Sequence, residues 1–312
     1  VMNFHSPYPW GELSFLFSRI GVPSVVLYHS DIVRQKRLLT AYRPFLERFL
    51  DRVDLIVVSS TNLVRGSDFL APRAGRCRVV PFGLPAARLT TTPAMEARAA
   101  ELRAAHPGRK IVLFVGRLVY YKGVDVLVRA MASVDADLVL MGRGPLEKEI
   151  AELAAANGVA ARLTSLPPQD EDELSAWYRA ADVFCLPSVA RSEAFGLVQI
   201  EAHAAGTPVV STDLPTGVPF ANLDGVTGLI VPPGDAAALA AALTRLLADD
   251  RLRARLGAQA RARALRDFTV PRMVADTMNV YAEAIELHAG PDRGGRGGSP
   301  NARRRPEAPR GA

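Results

Sequence analysis

The chain has 312 residues, 49% of them hydrophobic and 22% charged, ordinary proportions for a globular protein with room for two cores. No run approaches the ~20 apolar residues needed to cross a bilayer, and the start, Val1-Met2-Asn3-Phe4-His5, lacks the basic and apolar regions of a signal peptide. The net charge of +6 does not mark a nucleic-acid binder, because residues 290–312 carry six Arg against Asp292 and Glu307, a balance of +4 that leaves only +2 elsewhere.

In chain order, a helix is predicted from near Gly11-Glu12, a strand over Ser24–Tyr28, a helix over 32–50 and a strand over Asp54–Val58. Arg76–Val80 is a last strand before Pro81-Phe82-Gly83-Leu84-Pro85, and the polar, Ala-rich segment 89–109 reads as a linker. From residue 110 strand and helix patterns alternate. Lys110–Val115 is a continuous apolar run, the mark of a parallel strand buried on both faces. A helix over 123–133, a strand over 136–141, a helix over 146–155 and a weaker strand over 162–166 follow. Next come a helix over 171–181, a strand over 182–186, a helix over 196–205, strands over 208–211 and 228–231, and a long helix from 235.

The fold class is therefore α/β: a doubly wound unit over 110–268, a smaller unit of the same kind over 1–88, and a final helix over 269–289. The Gly/Pro/Arg segment 290–312 has the composition of a disordered basic tail. Roughly 85 residues with about three strands are few for a domain. The chain also opens in a Pro-rich segment read as having no leading strand, so the first unit is expected to lack its N-terminal part. Cys77 and Cys185 lie in apolar strand surroundings and read as small hydrophobes of a reducing, cytoplasmic compartment.

The chemistry-bearing residues cluster at strand ends. Gly116-Arg117-Leu-Val-Tyr-Tyr-Lys122-Gly123 joins the first strand of the second unit to its helix. A Gly admits close backbone approach, a helix N-terminus attracts anions, and Arg117 and Lys122 add fixed positive charge. This is a diphosphate cradle in outline, though neither a Walker loop nor Gly-x-Gly-x-x-Gly; the plainer reading is a surface turn with two solvated cations. Gly142-Arg-Gly144-Pro145 is half a dinucleotide fingerprint, equally explained as a tight turn with Pro at a helix start.

In Ser188-Val-Ala-Arg-Ser-Glu193-Ala194-Phe195-Gly196-Leu197-Val-Gln-Ile-Glu201, seven residues separate the two Glu. The first stands in a loop after a strand, and the second lies inside a helix opened by Phe195 or Gly196 and closed by Gly206. Two carboxylates so placed can face one cleft with free backbone N–H groups between them, an arrangement that suits a phosphorylated, hydroxyl-rich ligand. His29, in Tyr28-His29-Ser30-Asp31, ends a strand of the first unit and faces the crevice, while Asp31 or Ser30 reads as a helix N-cap. Asp135-Ala-Asp137 and Asp170-Glu-Asp172 match Asp-x-Asp formally but read as a turn and a helix start. With scattered His and no paired His/Cys spacing, no metal site is predicted.

Taken together, these pieces resemble the retaining glycosyltransferases of family 4, which have the two-domain GT-B fold. The motifs run in that family's order: His5-Ser-Pro-Tyr-Pro9, Tyr28-His-Ser-Asp-Ile-Val-Arg-Gln-Lys36, Ser59-Ser-Thr-Asn62, Pro81-Phe-Gly-Leu84, the 116–123 and 142–145 loops, Ser192–Ala202, Ala205-Gly-Thr-Pro-Val209 and Asp224–Leu229. They cover nearly all of 1–288. The resemblance implies two Rossmann-like domains facing a cleft, the first of them truncated.

It also implies roles. Gly116, Arg117 and Lys122 would hold the donor diphosphate and offset leaving-group charge. Glu193 would contact the donor sugar, with Ala194, Phe195, Gly196 and Leu197 beside it. Glu201 would accept hydrogen bonds from the nucleotide ribose, and His29 would touch the sugar near its reacting centre. No cofactor or metal is implied, only a nucleotide-sugar substrate and a glycan or lipid-linked acceptor. The Tyr28–Lys36 string looks most like mannosyltransferases of bacterial polysaccharide assembly, which implies GDP-mannose. Two departures stand out: the family's N-terminal strand with its Gly-rich loop is absent, and Leu166-Pro167 lacks the usual Gly. A UDP-sugar transferase, a nucleotide-sugar epimerase, a phosphorylase and a non-catalytic nucleotide-sugar binder remain open alternatives. Peripheral membrane contact by Trp10, Phe15, Leu16 and Phe17 is weighed against their serving as core.

Overall fold

The computed structural model describes residues 1–18, 20–31 and 36–290, without the side chains of 36–39. The predicted basic tail from 291 on, and residues 32–35 at the start of the predicted 32–50 helix, lie outside the described residues.

Four strands form the first unit: β1 (Met2–Ser6), β2 (Ser24–Tyr28), β3 (Leu55–Val58) and β4 (Cys77–Val79). They are parallel and ordered β1-β2-β3-β4. The connecting helices are α1 (Pro9–Phe17), α2 (Lys36–Arg52) and α3 (Thr61–Gly66). A strand does therefore lead the chain, contrary to the sequence reading. β1 is an edge strand that buries little but Ser6, so its residues carry no continuous apolar run to announce it.

The connection contains α4 (Ala86–Leu89) and α5 (Pro93–Ala104), so most of the expected linker is helical. Thr92 caps α5, its hydroxyl accepting from Met95 N at 3.2 Å. α5 buries Ala99 and Leu102 against Ala176 and Trp177, and so belongs with the second unit. Only two side chains of that helix are buried, which is why its sequence looks like a polar spacer.

The second unit holds β5 (Ile111–Val115), β6 (Asp137–Met141), β7 (Leu163–Leu166), β8 (Val183–Leu186), β9 (Val209–Thr212) and β10 (Gly228–Val231). Between them run α6 (Val124–Met131), α7 (Glu147–Ala156), α8 (Glu171–Ala180), α9 (Leu197–Ala205) and α10 (Val218–Ala221); α11 (Ala236–Ala248), α12 (Asp250–Asp267) and α13 (Val270–Ala289) follow. The single long helix predicted from 235 is two helices, because the Asp249 side chain accepts from Leu252 N at 2.9 Å and restarts the chain there.

Alternate residues of the central strands feed two cores. Val112, Phe114, Leu138, Leu140 and Cys185 join α6, α7 and α11 on one face, whereas Ile111, Leu113, Val139, Phe184 and Leu186 join α5 and α8 on the other. The parallel order β7-β6-β5-β8-β9-β10 reverses between β5 and β8, and ligands of doubly wound sheets bind beyond the strand ends at such a reversal. Two of the predicted site loops follow these two strands.

α13 returns to the first unit, covering Val25, Leu55, Val57 and Val80 with Val280 and Ala284. The two chain crossings lie side by side, since Leu84 N donates to Phe268 O at 2.8 Å and Val270 N to Leu84 O at 3.2 Å. The apolar residues of α1 divide. Phe15 is core, while Trp10 and Phe17 are 75% and 77% exposed. Among the described residues no helix is long and apolar enough to cross a membrane.

His203 of α9 is fully buried, with the Asn222 side chain and the Arg263 guanidinium facing its ring. Burial, helped by the nearby Arg263 charge, pushes its pKa down to about 3. The unfolded chain, with a value near 6.5, therefore takes the proton first. The contribution is fully present above that pH and is lost as pH falls, by about 1.4 kcal/mol per unit. Urea unfolding of wild type at pH 6 and pH 5 should show this extra loss, and His203→Leu should remove it. Equal slopes for the two proteins would contradict a neutral buried His203.

Candidate active site

The loop after β5 and the loop after β8 meet because Gly123 leaves room between them. A Cβ at Gly123 would lie 2.1 Å from the Pro187 carbonyl oxygen, and its φ of +64° suits Gly. Val189 N also donates to Tyr121 O at 2.8 Å. Closure of the two loops brings Lys122 Nζ to 2.6 Å from Glu193 Oε2, with both side chains about nine-tenths covered. The Ser188 hydroxyl donates to the same oxygen at 3.0 Å. The two residues singled out in separate motifs thus form one buried ion pair at the sheet's reversal point.

Arg117 behaves differently. It is exposed and, among the described residues, has no ion pair or hydrogen bond from its side chain. It lines a hollow of about 400 Å³ with Gly116, Gly142, Arg143, Pro168, Gln169 and Leu174. The 142–145 turn serves the neighbouring loop: a Cβ at Gly142 would meet Gly116 O at 2.0 Å, and Leu118 N donates to Arg143 O at 3.0 Å. The half-fingerprint is therefore a packing device that shapes the rim of this hollow. Gln169, two residues past the Gly-less Leu166-Pro167 segment, forms another part of that rim.

Gly196 is the N-cap of α9 and Gly206 its C-cap, as the sequence predicts. Ala194, Phe195 and Leu197 surround that start, with Phe195 buried and Leu197 exposed. Glu201 stands in the second turn and does not share partners with Glu193. Its Oε2 accepts from Tyr178 Oη at 2.9 Å, and its Oε1 from Arg88 Nη1 at 2.5 Å. Glu201 opens on a second hollow of about 60 Å³, lined by Arg88, Glu171, Ser175 and Tyr178 among others; both hollows share Leu174.

From the first unit, His29 reaches the crevice half-buried. Its Nε2 lies 2.9 Å from His5 Nδ1, and its ring stacks between those of His5 and Phe82. Burial, then the neighbouring His5, lowers the His29 pKa and favours the neutral imidazole. Phe82 in turn meets Phe195 edge-on at 5.3 Å, so aromatic contact runs from His29 to the start of α9.

Asp31 ties the two units together, and the start of the helix that it or Ser30 is expected to cap lies outside the described residues. It accepts from Tyr28 Oη at 2.8 Å and Ser67 Oγ at 2.6 Å, and pairs with Arg191 at 2.9 Å. Arg191 also donates to Gly66 O. Since Arg191 precedes Glu193 by two residues, the first unit holds the loop that carries Glu193. Sequence reasoning missed this tie, Arg88, Tyr178 and the His5 contact; His5, Asp31 and Arg191 stand inside quoted motifs, whereas nothing in the sequence pointed to Arg88 or Tyr178.

The Asp-x-Asp strings serve structure. Asp137 pairs with His106 and Arg109, Asp135 with Arg109, and the Asp170 side chain accepts from Glu173 N to cap α8. Among the described residues no group of three or more His, Cys, Asp or Glu is placed to hold a metal.

With this geometry in view, residues 99–263 match the glycosyl transferases group 1 family. The chain is also 35% identical over 290 residues to O-antigen chain mannosyltransferase C of Escherichia coli, covering 92% of this chain and 76% of that protein. The chain belongs to the group 1 glycosyltransferases. This glycosyltransferase is further similar to D-rhamnosyltransferase WbpZ of Pseudomonas aeruginosa, 36% identical over 86% of this chain and 70% of that protein. Among solved structures, sucrose-phosphate synthase from Thermosynechococcus elongatus superimposes with a TM-score of 0.76 at 28% identity, over 90% of this chain and 73% of that one. Anabaena HepE in complex with UDP gives 0.76 at 22% identity, over 89% and 78%, a likeness of fold. The glycosyltransferase therefore has the GT-B architecture, two Rossmann-like units with parallel sheets.

Proposed function

We propose that this glycosyltransferase moves mannose from GDP-mannose to a glycan or lipid-linked acceptor, with retention at the anomeric carbon. The observation that carries the reading is the Lys122–Glu193 pair at the β5/β8 reversal, with Arg117, which has no side-chain partner among the described residues, in the same loop as Lys122. In this reading Gly116, Arg117 and Lys122 hold the diphosphate, Glu193 and the 194–197 backbone hold the sugar, Glu201 holds the ribose, and His29 touches the sugar from the other unit. The bond from C1 to the diphosphate oxygen breaks while the acceptor hydroxyl bonds to C1 on the same face. The acceptor proton passes to the departing phosphate oxygen. Fixed cations and the α9 N-terminus stabilise the charge that develops, so no metal is assigned a role.

Mannose is favoured by the names of the two relatives, since D-rhamnose is 6-deoxymannose. A UDP-sugar donor is the second reading, favoured by the UDP bound in HepE. A cytoplasmic reaction at the inner face of the membrane fits a lipid-linked acceptor and the exposed Trp10 and Phe17.

A thermal-shift panel of GDP-mannose, UDP-glucose and UDP-N-acetylglucosamine separates the donors. At 100 times its Kd a ligand stabilises the native state by about 2.7 kcal/mol, which raises Tm on the order of 5 °C. GDP-mannose should stand out; a larger shift with either UDP-sugar would move the assignment to the second reading.

A further inference from the structure

Glu201 is nearly buried, and among the described residues its one ionic partner comes from outside its own sheet. Arg88 lies on α4, four residues past Leu84, where the two chain crossings are hydrogen-bonded together. Leu89 packs with Ile200 and Ala204, which seats α4 on α9. The Arg88 guanidinium then forks. Nη1 donates to Glu201 Oε1 at 2.5 Å, while Nε and Nη2 donate to Glu171 Oε1 at 3.1 and 2.7 Å. Tyr178 fixes the other Glu201 oxygen at 2.9 Å, and burial with the adjacent carboxylate keeps that phenol protonated.

An ionised carboxylate offers about four lone-pair sites. Arg88 and Tyr178 take one on each oxygen, which leaves one on each oxygen. Two adjacent acceptors held in one plane match a vicinal diol, each hydroxyl donating to one oxygen. The hollow onto which Glu201 opens, lined also by Arg88 and Tyr178, is where such a diol would enter.

We propose that Arg88 is a positioning residue: it holds the Glu201 carboxylate in the plane that receives the two ribose hydroxyls of a nucleoside diphosphate. This rests on the nucleotide-sugar reading above and adds a residue from the inter-unit connection to it. Because Arg88 follows the crossing directly, ribose binding is tied to the segment about which the two units are joined.

The test measures affinity of wild type, Arg88→Gln and Arg88→Lys for GDP and UDP and for their 2′,3′-dideoxy counterparts. Arg88→Gln should weaken the better-bound ribonucleotide about tenfold, as expected for a misplaced charge-assisted acceptor. It should leave the dideoxy counterpart within about twofold, because that ligand makes no use of Glu201. Arg88→Lys should recover part of the loss, and the unfolding midpoint without nucleotide checks that each variant folds. Equal weakening of both ligands would reduce Arg88 to a structural pair, and tighter ribonucleotide binding would make it a competitor; either overturns the proposal. Wild type that binds neither GDP nor UDP would sink the nucleotide-sugar reading itself, and this inference with it.

Discussion

Glu193→Ala is expected to abolish sugar transfer and to destabilise the protein at the same time. The carboxylate is buried with Lys122 at 2.6 Å and the Ser188 hydroxyl at 3.0 Å. Removing it strands a covered ammonium, which costs about 3–5 kcal/mol. Loss of activity alone would therefore be ambiguous. Glu193→Gln keeps the volume and an acceptor for Ser188, and should still lower kcat/KM by about 10²–10³ if the charge orients the donor sugar and Lys122. Glu193→Ala combined with Lys122→Met removes both charges. Urea unfolding should then return to within about 1 kcal/mol of wild type, while transfer stays absent. Near-wild-type turnover by Glu193→Gln would remove Glu193 from the reaction.

Arg117→Ala should separate the two effects cleanly. Arg117 is exposed, and among the described residues its side chain makes no ion pair or hydrogen bond, so its loss should change stability by no more than about 0.5 kcal/mol. If its charge offsets the departing diphosphate, kcat should fall by about 10²–10³. Lysine at 117 should restore only part of the rate, since a point charge does not reproduce a planar fork on phosphate. Steady-state kinetics with saturating donor decide this. Unchanged kcat with raised KM would make Arg117 a binding residue with no share in stabilising the leaving group.

The two predictions differ because the two cations sit in different environments, although sequence describes them alike. Both stand in one eight-residue loop between a strand and a helix. Spacing places them beyond a strand end and says nothing of burial. The Gly123 contact with Pro187 decides that Lys122 is covered and paired while Arg117 stays open to the hollow.

Strands β5, β6 and β8 were legible because parallel strands buried on both faces leave continuous apolar runs, Ile111–Val115 among them. β1 escaped notice because an edge strand of five residues with one side chain fully buried has no such run. α5 escaped because its buried stripe is Ala99 and Leu102 alone. The break at Asp249 had a signal, an Asp pair inside an Ala/Leu/Arg stretch, that helix periodicity outweighed.

The sequence by itself determined the α/β class and the strand-end loops, and it singled out Arg117, Lys122, Glu193 and Glu201 as candidates, since local pattern and motif order are written along the chain. Only the tertiary structure decided which of them meet. Strand order sets β5 beside β8 and so joins Lys122 to Glu193. The return of the chain through α4 sets Arg88 on Glu201, 113 residues away. The facing of the two units sets Arg191 on Asp31, 160 residues away. Pairings over such separations depend on topology and packing, which no local pattern encodes.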